Sequence, residues 1–202
     1  KVALLTGASK GMGRAMAEAF AAHGASVVIS SRKQDQLDEA AAEINKSCGA
    51  QRVHAVAANA GRKEELEALV ERTRRDVGPI DIVVGNAGVN IFYGPISEIP
   101  DEAYEKTMKT NVQANLWLAR LVVPDMIDKG SGSMMFTASV GAYKPSSTLG
   151  LYGTSKLTLI GLVLSSLRFK QLHDWSGAHR VWWNIYVVVK TTNTNERSRL
   201  WI

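Results

Sequence analysis

"VALLTGASKGMG", residues 2–13, runs from an apolar segment through a glycine-rich turn into a helical pattern. How this stretch is read decides the fold. "VALLT" (2–6) is continuously apolar, as a short strand covered on both faces should be. Gly7, Gly11 and Gly13 let the backbone turn tightly and come close to a neighbour. Residues 11–23 then follow helical spacing. A helix beginning at such a turn offers unpaired N–H groups and the positive end of its dipole to an anion.

The same alternation continues along the chain. "SVVIS" (26–30), "RVHAVA" (52–57), "IDIVVG" (80–85) and "SMMFTAS" (133–139) read as further buried strands. Residues 34–46, 62–77, 101–129 and 151–170 read as helices. In 62–77, Leu66, Leu69, Val70, Thr73 and Val77 recur at steps of three and four, marking one helix face. Gly24, Gly49 and Gly78 follow the first three helices as stops. Strand–helix alternation predicts an α/β fold: a doubly wound parallel sheet with right-handed crossovers and helices on both faces. There are no internal repeats and no linker, so residues 1–202 are expected to form one domain.

Composition narrows the function. Apolar residues make up 46% and charged residues 21%, as in ordinary globular proteins. The single Cys48 cannot form an internal disulfide, which predicts a reducing intracellular compartment, the cytoplasm first and an organelle left open. The longest apolar run, "LTLIGLVLSSL", is too short to span a membrane, and because the sequence opens on the apolar segment "KVALLTG" no signal peptide is expected. Net charge is +5, but residues 165–202 supply +4 of it through six Lys/Arg against Asp174 and Glu196. The body is nearly neutral and shows no basic stripe, so neither nucleic acid nor membrane is expected as a partner. His23, His54, His173 and His179 have no ligand spacing, and no metal site is predicted.

The end of the second strand carries Ser30, Ser31, Arg32 and Lys33 where a carboxylate would bind a free ribose 2′-hydroxyl. Lys10, inside the glycine turn, adds a further cation. Positive charge without a carboxylate suits a 2′-phosphate, and hence NADP(H) rather than NAD(H).

Four more pieces complete the pattern. "GNAG" (85–88) ends the fourth strand, "TNV" (110–112) lies in the long helix, Ser139 ends the fifth strand, and "YGTSK" (152–156) opens the last helix. With the TGxxxGxG loop at 6–13, these come in the order and spacing of the short-chain dehydrogenase/reductase family, which the chain resembles from residue 1 to about 163. "ISSRK", "GRKEELEALV" and "NVQANLWLARLVVPDM" are most similar to its NADP(H)-dependent carbonyl reductases of the dehydrogenase/reductase-4 type. The resemblance implies a Rossmann-type fold. It also implies hydride transfer between NADP(H) and a small carbonyl or secondary-alcohol substrate, and a homodimer or homotetramer. Asn111, Ser139, Tyr152 and Lys156 match its catalytic positions. Gly7, Ser9, Lys10, Gly11, Met12, Gly13, Ser31, Arg32, Asn59, Asn86, Ala87 and Gly88 match its cofactor positions, with Tyr152 and Lys156 again among them. By that match Asn59 contacts the adenine, Asn111 holds a water on the proton path and Lys156 holds the nicotinamide ribose. Pairing is expected through helices 101–129 and 151–170, with Leu116, Trp117, Arg120, Leu121, Leu159, Leu162 and Val163 supplying the contact.

The chemistry can also be argued from residue types. Reducing a carbonyl needs a hydride on carbon and a proton on oxygen. A free tyrosine has a pKa of about 10, too high to shuttle protons well near neutrality. Lys156, one helical turn from Tyr152, shares its face and is expected to lower that pKa. Ser139 can steady the developing alkoxide.

After "LIGLV" the family pattern breaks. "LSSLRFKQLHDWSGAHRVWWNIYVVVKTT" lacks the Pro-Gly turn, four of the five tryptophans (175, 182, 183 and 201) fall in the tail, and "VVVKT" (187–191) again looks family-like. Residues 164–202 are therefore read as an aberrant or truncated tail with incomplete C-terminal strands. The alternative function is a catalytically weak homologue that binds cofactor or partner subunits without efficient turnover.

Overall fold

The computed structural model describes residues 1–144, 146–172 and 182–190, with side chains described as far as residue 165. Six strands form one parallel sheet: β1 (Val2–Thr6), β2 (Ser26–Ser30), β3 (Val53–Ala55), β4 (Ile82–Gly85), β5 (Ser131–Ser139) and β6 (Trp182–Lys190). Their spatial order is β3-β2-β1-β4-β5-β6. The chain leaves β1 for β2 and β3, then returns across β1 to β4. The reversal opens a crevice beyond the C-terminal ends of β1 and β4, the usual ligand position in such sheets.

Period-two alternation explains the two cores. Leu4, Val28 and Val83 point to one face, where they meet Leu66, Leu69, Leu118, Val122 and Met126. Ala3, Leu5, Val27, Ile29 and Val84 point to the other, against Ala17, Ala21, Leu37, Ala40 and Ile44. The helices are thus split across the sheet: α1 (Gly11–Ala22) and α2 (Gln34–Cys48) on one side, α3 (Lys63–Asp76), α5 (Ala114–Asp128) and α6 (Gly150–Leu172) on the other. A fully buried leucine such as Leu118 contributes about 2–5 kcal/mol, judged by truncation to alanine. Arg74 ties α3 to α5, its Nε donating to Asp125 Oδ1 at 3.0 Å, while Asp125 Oδ2 accepts from Ile80 N at 3.1 Å just before β4.

The structure departs from the sequence reading in three places. The helix expected over 101–129 is interrupted: α4 (Asp101–Met108) passes through a π turn at Lys109–Gln113 before α5 begins. The sixth strand forms, pairing with β5 from Ser131↔Trp182 to Ser139↔Lys190. Its aromatic and β-branched run suits a strand with or without a Pro-Gly turn after it. Leu159 and Val163, expected on a pairing surface, lie in the core instead. The other tail readings, including Trp175, Trp201 and the missing Pro-Gly turn, lie outside the described residues.

Candidate active site

The C-terminal ends of β1, β4 and β5 are bound together by side chains. Thr6, last in β1, accepts through Oγ1 from Asn86 N and Ala87 N, each at 3.2 Å. Asn86 Nδ2 donates to Gly7 O at 2.8 Å, and Thr137 Oγ1 donates to Asn86 Oδ1 at 3.1 Å. One amide therefore connects the glycine turn, the turn after β4, and β5. This closeness requires glycine. Gly7 has φ +62, and a Cβ there would stand 2.8 Å from Ala87 Cα. At Gly13 a Cβ would stand 2.4 Å from Gly7 O and 2.6 Å from Asn86 Nδ2. Ser9 and Met12 are half-buried, while Lys10 and Gly11 are exposed.

Ala8 N donates to Ser30 O at 3.1 Å, and Ala58 N to Ser31 O at 2.9 Å. These bonds bring the glycine turn beside the end of β2, where Ser31 is half-buried and Arg32 exposed. Neither Lys10 nor Arg32 has a carboxylate partner among the described residues. Asn59 follows β3, half-buried, its Oδ1 accepting from Gly61 N at 3.0 Å.

A cleft of ≈ 660 Å³ opens above β4 and β5. Of the residues expected from the sequence, Met12, Asn86, Gly88, Ser139, Tyr152 and Lys156 line it. Gly7, Gly13 and Ala87 do not line it but pack on Asn86, which does. Lys10, Ser31, Arg32 and Asn59 stand outside it, beyond the glycine turn. Lys156 is 3% exposed, and its Nζ donates to Thr137 O at 2.7 Å. It lies 5.7 Å from the centre of the Tyr152 ring, as one helical turn of separation requires. Burial pushes the Lys156 ammonium down to about 8.

Tyr152 corrects an expectation. In the protein alone its phenol titrates above the ordinary value. Burial raises it, the adjacent Ser139 hydroxyl opposes the rise, and Tyr93 adds to it. Lys156 does not overcome this, because the same burial that encloses the phenol weakens the ammonium's own charge.

Asn111 sits in the π turn, fully buried behind the cleft. Its Oδ1 accepts from Val89 N at 2.7 Å, while its Nδ2 donates to Val89 O and Ser155 Oγ, both at 2.9 Å. Both amide hydrogens are thus used within the protein. Sequence reasoning missed Thr6, Thr137 and Ser155. Ser155 Oγ donates to Tyr152 O at 2.7 Å and so links α6 to Asn111. Its signal was faint: a serine one turn after Tyr152, on the buried side. Thr137 binds Lys156 through its backbone, which no side-chain pattern reveals. Among the described residues, no three His, Cys, Asp or Glu lie together as metal ligands would.

A parallel sheet with a glycine turn at its switch point and a Tyr–Lys pair across the crevice defines a Rossmann-type protein with an enzyme-like cleft. The family model described as short chain dehydrogenase matches residues 1–172, and the chain belongs to that family. Dehydrogenase/reductase SDR family member 4 of Caenorhabditis elegans is 40% identical over 162 residues, covering 80% of this chain and 62% of that relative. The chain thus spans less than two thirds of that relative's length. Among solved structures, a metagenomic short-chain oxidoreductase in complex with NADP has a TM-score of 0.83 and 26% identity, covering 94% of this chain and 81% of the other. L-sorbose reductase from Gluconobacter frateurii, complexed with NADPH and L-sorbose, has a TM-score of 0.77 and 35% identity, covering 83% and 65%. Among the described residues, no helix is long and apolar enough to cross a membrane.

Proposed function

We propose that the chain is an NADP(H)-dependent oxidoreductase interconverting a small carbonyl compound and its secondary alcohol. One observation carries this reading: a single cleft holds Ser139, Tyr152 and the buried Lys156 beside the glycine turn. The residues fit a dinucleotide. Glycine at 7 and 13 lets the turn pack closely on Asn86 and Ala87, the space beside Gly11 is open, and Lys156 has one acceptor among the described residues for three ammonium hydrogens. Gly7, Ser9, Gly11, Met12 and Gly13 would hold the diphosphate, and Lys10, Ser31 and Arg32 the 2′-phosphate. Asn59 would contact the adenine, and Asn86, Ala87 and Gly88 the length of the cofactor. Tyr152 and Lys156 would hold the nicotinamide ribose. Bound there, the cofactor supplies or accepts the hydride.

The protein's own residues manage the proton. Ser139 donates to the substrate oxygen and steadies its developing charge. Tyr152 gives that oxygen its proton in reduction and takes it back in oxidation. Lys156 favours the phenolate left behind. An oxidised nicotinamide would add positive charge against the burial that holds the phenol high. Asn111 acts as a positioning residue, holding Val89 and, through Ser155, the backbone of Tyr152.

The NADP-bound and NADPH-bound relatives support the cofactor choice, although xylitol dehydrogenase, 25% identical with a TM-score of 0.79, is bound to NAD+. Lys10 and Arg32, which have no carboxylate partner among the described residues, favour the phosphorylated form. β6 supplies the sixth strand that the weak-turnover alternative doubted, while its other ground, the missing Pro-Gly turn, lies outside the described residues. We extend the proposal to self-association through α5 and α6, on the half-buried Leu116, Trp117 and Leu121 and the exposed Arg120, and to a reducing, cytoplasmic setting for Cys48. Nicotinamide absorbance, followed with either cofactor and a panel of ketones and aldehydes, tests the reading. Consumption of NADPH, faster than NADH, is expected. No consumption with any carbonyl would overturn it.

A further inference from the structure

The cleft has a second polar end that the proton chemistry does not use. Two loops form its outer rim: the segment after β4, with Tyr93, and the segment after β5, with Lys144, Ser146 and Leu149. Gly94 N donates to Thr148 O at 3.1 Å, joining the two loops into one wall. Lys144 N donates to Val140 O at 2.9 Å, which holds Lys144 in a tight turn directly beyond Ser139. Its side chain is exposed and has no carboxylate partner among the described residues. Among the described residues lining the cleft none is Asp or Glu, whereas Lys144 and Lys156 are both cationic. Lys156 is buried on Thr137 and committed to the Tyr152 side. Lys144 is therefore the cation available to a substrate whose carbonyl rests on Ser139 and Tyr152.

We propose that the substrates of this site are carbonyl compounds carrying a carboxylate, with Lys144 binding the carboxylate and Tyr93 and Leu149 flanking the carbon skeleton between the two ends. This rests on the oxidoreductase reading of the same cleft. Lys144 is a specificity-determining residue here and takes no part in the proton transfer. A charge-assisted contact on a half-open rim is worth about a five- to tenfold change in affinity, and it weakens as salt screens it.

The test uses two aryl ketones of one skeleton, one bearing a carboxylate and the other its methyl ester. Each is titrated calorimetrically into the 202-residue chain saturated with NADPH, and its reduction is followed in parallel. The carboxylate is expected to bind about five- to tenfold more tightly than the ester, with the gap shrinking as salt rises. Lys144→Met erases the preference and Lys144→Glu inverts it, and because Lys144 is exposed neither change disturbs the core. NADPH affinity stays unchanged in Lys144→Met. Equal binding of the two ketones, including no binding of either, overturns the inference. So does a preference that survives Lys144→Met, or a matching loss of NADPH affinity, which would place Lys144 on the cofactor. If the carboxylate binds in a Lys144-dependent way but neither ketone is reduced, the carboxylate contact at Lys144 is upheld, the claim that these compounds are substrates is overturned, and the wider carbonyl panel decides the oxidoreductase reading separately.

Discussion

Replacing Lys156 with methionine should stabilise the fold while abolishing the proposed chemistry. The magnitude comes from the burial of the ammonium, which lowers its pKa from 10.5 to about 8. At pH 7 the unfolded chain holds the proton much more tightly than the native one, and linkage sets the cost at roughly 3 kcal/mol. Methionine removes that cost, fills a similar volume, and forfeits the bond to Thr137 O, worth about 1 kcal/mol. The net gain is about 2 kcal/mol, or roughly 4–8 °C in Tm for a chain of this size. The sign with pH is fixed. Between pH ~8 and ~10.5 the unfolded state binds more protons than the native state, so the parent gains stability as pH rises through that window. The advantage of Lys156→Met should therefore shrink to near zero by about pH 10. Urea denaturation at a series of pH values measures both quantities. A variant less stable than the parent at pH 7, or a stability difference that ignores pH, would refute the reasoning.

Arg32→Asp should weaken NADPH binding by on the order of 10²-fold and leave NADH binding nearly unchanged, since it places a negative charge where the 2′-phosphate is proposed to lie; fluorescence titration with both cofactors reads this. Asn111→Leu should destabilise the chain by about 3 kcal/mol, because Val89 N, Val89 O and Ser155 Oγ lose buried partners together; a shift of the urea midpoint measures it. Gly13→Ala should abolish NADPH binding, because its Cβ would fall 2.4 Å from Gly7 O; calorimetry at equal folded fraction separates this from unfolding.

Much of the fold was legible because buried parallel strands and amphipathic helices leave distinct periodicities. β1 and β2 fall on the predicted residues, and α1, α2 and α3 lie within one or two residues of them. The π turn at Lys109–Gln113 is not read from the sequence, whose apolar positions read as one unbroken helix. β6 was discounted because adjacent tryptophans and a basic tail look awkward in a buried strand, yet its aromatic and β-branched residues favour an extended strand. That Tyr152, Lys156 and Ser139 would share one cleft was legible from their types and order along the chain. The site was obscure where backbone atoms act, as with Thr137 O receiving Lys156. The direction of the Tyr152 shift depends on three-dimensional burial, and spacing alone gave the opposite sign.

The central claim is that Tyr152 donates the proton in a carbonyl reduction run from this cleft. It is tested most directly by single-turnover oxidation of NADPH, with a reducible ketone, by the parent chain and by Tyr152→Phe. Removing one hydroxyl leaves the packing of the ring intact, so NADPH binding should persist while the rate falls by on the order of 10²–10⁴. An unchanged rate in Tyr152→Phe would contradict the account.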